Sequence, residues 1–310
     1  MRLKIAIVGI GGVGGYFGGR LAAHYTGSES VQIYFIARGA HLAAIKKNGL
    51  KLIHGDNKWI AHPALATDRP AEIGLMDVII FCTKTYDLEN SVQQMKPCIG
   101  ADTILLPVLN GVNSTERIKY LLPNAKTWEG LVYIIARLTN PGEVRNMGNI
   151  QKMFFGWDKK PTDKMILLEK VIKEAGIDVT LSGKMSKVIW EKYIFISSIA
   201  TLTSFLDHTI GEIMADVEQK KLLIELIDEV QSIADKKGVA VDPDVKKNAL
   251  ARFESLPFEA TSSMHSDFKN KKKKTELNSL TGYVVQQGEQ LKVQVPTYQR
   301  MFEELAKGDR

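Results

Sequence analysis

The sequence predicts an α/β protein in which a doubly wound parallel sheet is followed by an all-helical C-terminal domain. Three observations predict this fold class. The chain opens with a short apolar run at residues 3–8, followed by a glycine-rich turn and a helical stretch. Strand and helix patterns then alternate up to residue 182, which is typical of a parallel sheet with crossover helices. Beyond that residue, apolar side chains recur almost entirely at helical spacing.

The alternation can be followed element by element. Short apolar runs predict buried strands, and apolar residues three and four positions apart predict helices. Strands are expected at residues 3–8, 31–36, 77–82, 103–109, 132–136, 143–147, 151–155 and 177–181. Helices are expected between them at residues 13–24, 40–48, 86–95, 115–122 and 165–175. The strands on either side of the Pro141–Gly142 turn indicate an antiparallel extension of the sheet.

The second part of the chain is predicted to be helical. Helices are expected at residues 187–206, 220–237, 243–253, 274–287 and 296–305. Pro243 and Pro296 fit the first turn of a helix, where the missing N–H of proline is tolerated. We therefore expect two domains, a Rossmann-type domain over residues 1–182 and a helical domain over residues 183–310.

The glycines after the first strand predict a dinucleotide site. Gly9, Gly11 and Gly14 form G-x-G-x-x-G directly between an expected strand and an expected helix. The first glycine permits the tight turn, the second lets the backbone approach a pyrophosphate, and the third allows close helix–strand packing. We expect Gly9, Gly11, Gly12 and Gly14 to bind the cofactor, and the alternative is a merely structural glycine turn.

Arg38 indicates which dinucleotide is bound. A fold that binds NAD usually places Asp or Glu at the end of the second strand, whereas an arginine there suits the 2′-phosphate of NADP. No acid lies between Val31 and Arg38. The expected cofactor is therefore NADP (NADPH), and the alternative is an ordinary surface arginine.

Composition excludes several other classes. The chain has 310 residues, of which 45% are hydrophobic and 25% charged, as expected of a globular protein with two domains. Its net charge is +6, but no basic stripe is interleaved with aromatics, so we expect no nucleic-acid partner. Lys271–Lys274 is most simply a solvated face, with attraction of an anionic ligand as the alternative.

The remaining class predictions concern location and metals. No apolar run is long enough to span a membrane, and the sequence opens directly on the first predicted strand without a signal-peptide pattern. We expect no membrane association and a cytoplasmic location. Cys82 and Cys98 form neither a disulfide framework nor, without a Cys/His cluster, a metal site.

Three segments could carry chemistry. Lys192 lies in a strongly apolar helix, where it must either extend to solvent or face a cleft in which burial lowers its pKa into the range of a general acid. Asn110 follows an apolar strand and precedes a glycine, so it is either a ligand-binding residue or a turn residue. The segment from Thr261 to Glu276 would by itself indicate only a helix cap followed by an acid.

Taken together, these segments resemble the ketopantoate reductases (2-dehydropantoate 2-reductases), and the resemblance runs nearly from end to end. The matching motifs, in order, are G-I-G-G-V-G at 9–14, C-T-K-T at 82–85, N-G at 110–111, W-E-K at 190–192, S-S-M-x-x-D at 262–267 and T-E at 275–276. Their order and spacing are specific, although no single piece is. The resemblance implies reduction of the keto group of 2-dehydropantoate with NADPH, giving pantoate for pantothenate and coenzyme A synthesis.

The resemblance also implies roles for individual residues. Lys84 resembles the family lysine that approaches the cofactor, and Asn110 the asparagine that contacts both cofactor and substrate. Lys192 resembles the proton donor, and Ser263 a ligand of the substrate carboxylate. Glu276 resembles the acid near the nicotinamide ribose and the lysine, and so counts as both catalytic and cofactor-binding.

The sequence departs from the family pattern in its polar lining. Family members commonly carry asparagines four and eight residues after the lysine and before a later glycine, where this chain has Ile196, Ala200 and Ile210. The spacing from Asp267 to Glu276 is also one residue longer than usual. The alternatives are therefore a reductase of a different 2-keto acid or a non-catalytic NADP-binding sensor. The expected partner is a small 2-keto acid, and a homodimer is left open.

Overall fold

The structure, a computed structural model, describes residues 2–308. The chain divides into two compact units. The first contains residues 2–109 and 113–185, and the second contains residues 110–112 and 186–308. The domain limits expected from the sequence, residues 1–182 and 183–310, stay a prediction.

The first unit carries all the strands of the described chain. They are β1 (Leu3–Val8), β2 (Val31–Ile36), β3 (Leu50–His54), β4 (Asn57–Ala61), β5 (Leu65–Thr67), β6 (Val78–Phe81), β7 (Ile104–Pro107), β8 (Lys126–Thr127), β9 (Glu129–Asn140), β10 (Glu143–Gly156) and β11 (Asp178–Ser182). The helices among them are α1 (Gly12–His24), α2 (Gly39–Asn48), α3 (Leu88–Met95), α4 (Ser114–Leu121) and α5 (Asp163–Glu174).

Six of these strands form a parallel sheet in the order β5-β2-β1-β6-β7-β8. If the six are renumbered along the chain, this order reads 3-2-1-4-5-6, which is that of a dinucleotide-binding Rossmann fold. Side chains of β1 alternate between two cores: Ile5 and Ile7 join one, and Ala6 and Val8 join the other. The sheet is thus buried on both faces, as its apolar strands predict. The expected fold class is confirmed.

The remaining strands form a second sheet rather than an extension of the first. Its order is β11-β10-β3-β4, and β9 also pairs with β10 in antiparallel fashion. The expectation of a single extended sheet was therefore wrong. Helix α1 approaches this sheet closely: a Cβ on Gly19 would come within 2.6 Å of the Leu52 side chain. This contact explains why position 19 of α1 is a glycine.

The second unit is helical, as predicted. Its helices are α6 (Met185–Leu206, whose first residue belongs to the other unit), α7 (Ile210–Ala215), α8 (Val217–Lys236), α9 (Val245–Glu254), α10 (Ser263–Lys269), α11 (Tyr283–Leu291) and α12 (Pro296–Gly308), with a π-helical turn at Asn278–Gly282. They enclose a single apolar core to which α6, α8 and α12 all contribute.

Two predicted boundaries in this unit were wrong. Pro243 lies in the turn before α9, because the backbone becomes helical only at Val245, whereas Pro296 does begin α12. The helix expected at residues 274–287 instead begins after Glu276, with the π-helical turn at its start. Thr275 and Glu276 are buried in non-helical backbone. They separate the exposed lysine run from the helix that follows.

Candidate active site

The parallel sheet brings three predicted cofactor segments to one edge. The glycine loop follows β1, Arg38 follows β2, and Lys84 follows β6. Because neighbouring parallel strands end on the same side, these segments lie at the carboxyl edge of the sheet. In open α/β sheets, ligands bind at this edge where the strand order reverses, here between β1 and β6.

Gly9 and Gly14 are required by the backbone itself. Gly9 has φ +90°, a left-handed conformation that side chains disfavour, and a Cβ there would lie 2.8 Å from Thr83 Cγ2. A Cβ on Gly14 would collide with the Gly9 carbonyl oxygen and lie 2.8 Å from Cys82 Cβ. These contacts fulfil the turn and packing roles that the motif predicts for its first and third glycines.

Gly11 and Gly12 differ from each other. Among the described residues, no atom lies within 4 Å of the position of a Gly11 Cβ, so the backbone is open to a ligand there. The same position on Gly12 would collide with the Ala136 carbonyl oxygen, so packing against β9 already accounts for that glycine. The first turn of α1 carries no acidic residue, and its free N–H groups suit an anion. The loop therefore fits a pyrophosphate.

Arg38 lies at the end of the strand next to β1, where NADP-binding folds place a cation. Its side chain is 86% exposed, and its guanidinium lies 3.9 Å from the Asp87 carboxylate, at the limit of an ion pair. A guanidinium so loosely paired can turn towards a phosphate without breaking a strong contact. Its binding of a 2′-phosphate stays a prediction.

The loop that carries Lys84 is held in place by hydrogen bonds from Arg117. Lys84 is half-buried and is followed by a helical turn at Thr85–Asp87. Arg117 donates to the Thr85 carbonyl oxygen at 2.6 Å and to both carboxylate oxygens of Glu89 at 2.6 and 2.7 Å. The hydrogen bond from Arg117 lowers the pKa of Glu89, so the pair stays charged near neutral pH. The backbone that presents Lys84 is thus held in place.

In the helical unit, Lys192 and Asn110 meet. Lys192 is only 6% exposed, and its Nζ donates a hydrogen bond to Asn110 Oδ1 at 3.1 Å. Gly111 has φ +94°, so Asn110 occupies a glycine turn as well as contacting the lysine. Asn110 is therefore a turn residue that also accepts a hydrogen bond from Lys192, and its contact with cofactor and substrate stays a prediction.

Burial lowers the pKa of Lys192 from 10.5 to about 8. The nearby Glu276 carboxylate opposes this shift, and the positive charge of Arg252 adds to it. Glu276 is 3% exposed and lies just before the π-helical turn. The unit therefore holds a buried lysine, an amide oxygen and a carboxylate together, which is the composition of a proton-donor site.

Ser263 is placed by a network at the start of α10. Ser262 caps the helix by accepting from the His265 N–H at 2.9 Å, and its Oγ lies 3.0 Å from Thr203 Oγ1 on α6. His265 is also hydrogen-bonded to Asp207 at 2.7 Å. Ser263, the first residue of the helix, is itself exposed. Its contact with a substrate carboxylate stays a prediction.

The residues that replace the family asparagines form an apolar row. Lys192, Ile196 and Ala200 are each four residues apart on α6 and so share one side of the helix. Ile196 is partly buried against the helical core, and Ala200 is 2% exposed. Ile210 is fully within the core at the start of α7. The row beyond the lysine offers no side-chain hydrogen bond.

A second row on α6, Tyr193–Ser197–Thr201, carries hydroxyl groups that already form hydrogen bonds within the helical unit. The Tyr193 hydroxyl lies 2.9 Å from the Leu280 carbonyl oxygen and 3.0 Å from that of Ser279. Ser197 is hydrogen-bonded to Tyr298, and Thr201 lies 2.8 Å from Thr281 Oγ1. Ser198 is likewise bonded to the Ile194 carbonyl oxygen. These buried hydroxyls therefore hold the helices of the unit together rather than replacing the lost asparagines.

Sequence reasoning missed Tyr193 and Arg252. Tyr193 bonds to the π-helical turn that directly follows Glu276, and Arg252 on α9 influences Lys192 electrostatically. The position of Tyr193, next to Lys192, could have drawn attention to it. No sequence signal identifies Arg252, because its proximity depends on how α9 packs against α6.

The lysine run and the cysteines have structural explanations. Lys271–Lys274 are exposed. Lys272 forms an ion pair with Asp267, with an Nζ–Oδ1 distance of 2.6 Å. Burial raises the pKa of the Cys82 thiol, which disfavours the reactive thiolate. Within residues 2–308, no group of three potential ligands could hold a metal ion, and no helix has the length and hydropathy of a membrane span.

A Rossmann-type sheet with a glycine loop that fits a pyrophosphate, together with a buried lysine and carboxylate in a helical unit, is typical of an oxidoreductase with a nicotinamide cofactor. Residues 5–159 match the family model described as "Ketopantoate reductase PanE/ApbA", and residues 184–308 match "Ketopantoate reductase PanE/ApbA C terminal". The chain belongs to the ketopantoate reductase family and is an oxidoreductase of the 2-dehydropantoate 2-reductase type.

Individual relatives agree with this family. The chain is 29% identical over 305 residues to the uncharacterized oxidoreductase YkpB of Bacillus subtilis (strain 168), with 98% of each chain covered. It is 35% identical to the crystal structure of 2-dehydropantoate 2-reductase from Porphyromonas gingivalis W83, with a TM-score of 0.87 and coverage of 99% and 100%. A ternary complex of D-mandelate dehydrogenase with NADH and anilino(oxo)acetate is 23% identical, with a TM-score of 0.84 and coverage of 99% and 98%, and shows the shared fold alone.

Proposed function

We propose that this chain reduces a 2-keto acid with NADPH, with 2-dehydropantoate as the first candidate substrate and pantoate as its product. The observation that carries the proposal is the buried Lys192, whose Nζ is hydrogen-bonded to Asn110 and lies under the influence of the Glu276 carboxylate. A protein that only senses the cofactor has no need of a buried proton donor. The buried lysine therefore favours an enzyme over a sensor.

Each group has a role in the proposed reaction. Lys192 donates its proton to the oxygen of the keto group as that oxygen becomes an alkoxide, and its charge stabilises the developing negative charge. Asn110 Oδ1 accepts a hydrogen bond from one N–H of the Lys192 ammonium, which orients its other N–H groups. Glu276 opposes the loss of the proton from the lysine. NADPH, when bound, supplies the hydride for the keto carbon.

The cofactor would be held by the first unit. The open backbone at Gly11 and the N–H groups at the start of α1 fit the pyrophosphate. Arg38 supports the preference for NADPH over NADH, since its planar guanidinium suits a phosphate. Lys84 adds a second cation at the same edge of the sheet.

A second candidate substrate is a 2-keto acid with an apolar side chain. The observation that favours it is the apolar row formed by Ile196 and Ala200 beyond Lys192. The hydroxyl group of 2-dehydropantoate would find no partner on this row, and an unpaired buried polar group costs about 1–3 kcal/mol. We therefore expect either a raised KM for 2-dehydropantoate or a preference for a more apolar substrate.

The test is NADPH oxidation with a panel of 2-keto acids, comparing kcat/KM for 2-dehydropantoate, 2-ketoisovalerate and a bulkier apolar homologue. Ile196→Asn should raise kcat/KM for 2-dehydropantoate relative to kcat/KM for 2-ketoisovalerate. Leu222→Asn is the control for adding an amide elsewhere, because Leu222 is a partly buried residue on α8. Turnover of none of these acids would contradict the enzyme proposal and favour the sensor. An enzyme already efficient with 2-dehydropantoate, and impaired by Ile196→Asn, would show that other residues line the pocket.

The homodimer stays a prediction. Light scattering of the purified chain measures its molar mass directly, and a mass of one chain at working concentration would contradict it.

A further inference from the structure

Arg252 on α9 packs against an aromatic ring of α6, the helix that carries Lys192. Its guanidinium carbon lies 4.4 Å from the centre of the Phe195 ring. That ring also stacks on Phe253 at 4.5 Å with an interplanar angle of 19°, so it is fixed by aromatic packing. Phe195 is three residues after Lys192, and residues at this spacing are neighbours on a helix. The Arg252 cation thus contacts a residue that lies one helical turn from the proposed proton donor.

Two cations at this spacing disfavour each other. The charge of Arg252 lowers the pKa of Lys192, which is a measure of their repulsion. Perturbed pKa values of this kind cluster at functional sites. A 2-keto acid brings a carboxylate next to its keto group, and the keto oxygen itself becomes negative during reduction. The Glu276 carboxylate partly balances the charge of Lys192, and the Arg252 guanidinium is the second cation that could pair with the carboxylate of this substrate class.

The apolar row explains why a cation would be needed at this place. Ile196 and Ala200 provide no donor for a carboxylate, and the hydroxyls of Ser197 and Thr201 are engaged with other helices. Recognition of the acid group must then come from an element other than α6. Helix α9 is such an element, because it carries Arg252. A guanidinium can bind both oxygens of a carboxylate at once.

We infer that Arg252 binds the carboxylate of the substrate while Lys192 faces its keto oxygen, which selects 2-keto acids with an apolar side chain lying along Ile196 and Ala200. This inference rests on the proposed function. Arg252 is thereby a substrate-binding residue that the resemblance did not supply, and it works alongside the contact predicted for Ser263.

The first test compares Arg252→Gln and Arg252→Lys with wild type in steady-state kinetics on the best 2-keto acid of the panel. Arg252→Gln should raise the KM for the keto acid by about ten- to a hundredfold with little change in the KM for NADPH, because a charge-assisted pair is lost only from the substrate. Arg252→Lys should recover part of the loss. The matched control is Arg300→Gln, since Arg300 lies 5.8 Å over the Phe205 ring elsewhere in the same unit.

The second test removes the charge from the substrate. Wild type should use the methyl ester of the same keto acid about ten- to a hundredfold less efficiently than the acid, whereas Arg252→Gln should treat acid and ester nearly alike. The wild-type comparison does not depend on any variant folding. The pH dependence gives an independent readout, because removing the neighbouring positive charge should move the alkaline inflection of kcat/KM to higher pH.

The outcomes separate the inference from the function on which it rests. A wild-type protein that reduces no 2-keto acid overturns the proposed function. A wild-type protein that reduces a 2-keto acid but uses acid and ester equally well overturns the inference alone. A folded Arg252→Gln variant whose losses on acid and ester are equal, with an unshifted pH profile, also overturns it, because the arginine would then only support the fold.

Discussion

The pH dependence of the reaction is the sharpest test of Lys192. Its pKa is about 8 in the folded protein, against 10.5 ordinarily. A proton donor works only while protonated, so kcat/KM should be constant below about pH 8 and fall about tenfold per pH unit above it. Glu276→Gln removes the charge that opposes this shift, so the inflection should move to lower pH. Lys192→Arg keeps its proton at all accessible pH values and should remove the inflection.

The same shift gives a stability prediction whose magnitude follows from the structure. A difference of about 2.5 pH units corresponds to about 3 kcal/mol of interaction that disfavours the ammonium in the folded state. Below pH 8 the lysine is protonated in both the folded and the unfolded chain, so this cost is constant. Between pH 8 and 10.5 only the unfolded chain retains the proton, so the contribution to the free energy of unfolding rises with pH.

Two measurements check this reasoning. The kinetic assay is kcat/KM for NADPH oxidation between about pH 6 and 10, for wild type, Glu276→Gln and Lys192→Arg. Urea unfolding over the same range, with Lys192→Met as the reference, isolates the lysine contribution to stability. Activity that stays constant up to about pH 10, or an inflection that Glu276→Gln leaves in place, would refute the assignment of a buried lysine coupled to this carboxylate.

Three further predictions follow from single contacts. Arg38→Asp should lower the ratio of kcat/KM for NADPH to kcat/KM for NADH by about ten- to a hundredfold, which narrows or reverses the preference. An unchanged ratio would show that Arg38 does not bind the 2′-phosphate. Lys192→Ala should retain NADPH binding, followed by fluorescence, but lose about a hundred- to ten-thousandfold in turnover, with circular dichroism to verify folding; near-normal turnover would exclude it from the mechanism. Tyr193→Phe should lower the free energy of unfolding by about 1–3 kcal/mol in urea, because the buried carbonyl groups of Ser279 and Leu280 lose a donor, and an unchanged midpoint would contradict this.

The sequence was informative where a local pattern determines the structure. The strand–glycine–helix unit at the start of the chain needs only neighbouring residues, and Gly9 and Gly14 have the conformation and contacts that the motif requires. The same holds for Pro296 at the start of α12. Long apolar runs such as β1 and α6 were predicted well because burial on all sides leaves a strong signal.

Predictions failed where distant segments determine the outcome. β5 has only three residues, too few for a periodic pattern, and its place beside β2 depends on the parallel sheet. Whether β9 and β10 extend the first sheet or form another depends on their pairing with β3, a strand the sequence analysis did not predict. Gly12 was assigned to the cofactor from its motif, yet it is also required by contact with Ala136 on β9.

Helix α6 connects the stability of the helical unit with its proposed selectivity. One row, Lys192–Ile196–Ala200, carries the proposed proton donor and two apolar side chains. The adjacent row, Tyr193–Ser197–Thr201, is hydrogen-bonded to the π-helical turn and to α12. Neighbouring residues on a helix point about 100° apart, so the two rows can change independently. The asparagines expected on the first row could therefore be replaced by Ile and Ala without loss of the interactions that hold the unit together. The proposed proton donor and the neighbouring Glu276 can then keep their places while the proposed substrate preference changes on the first row.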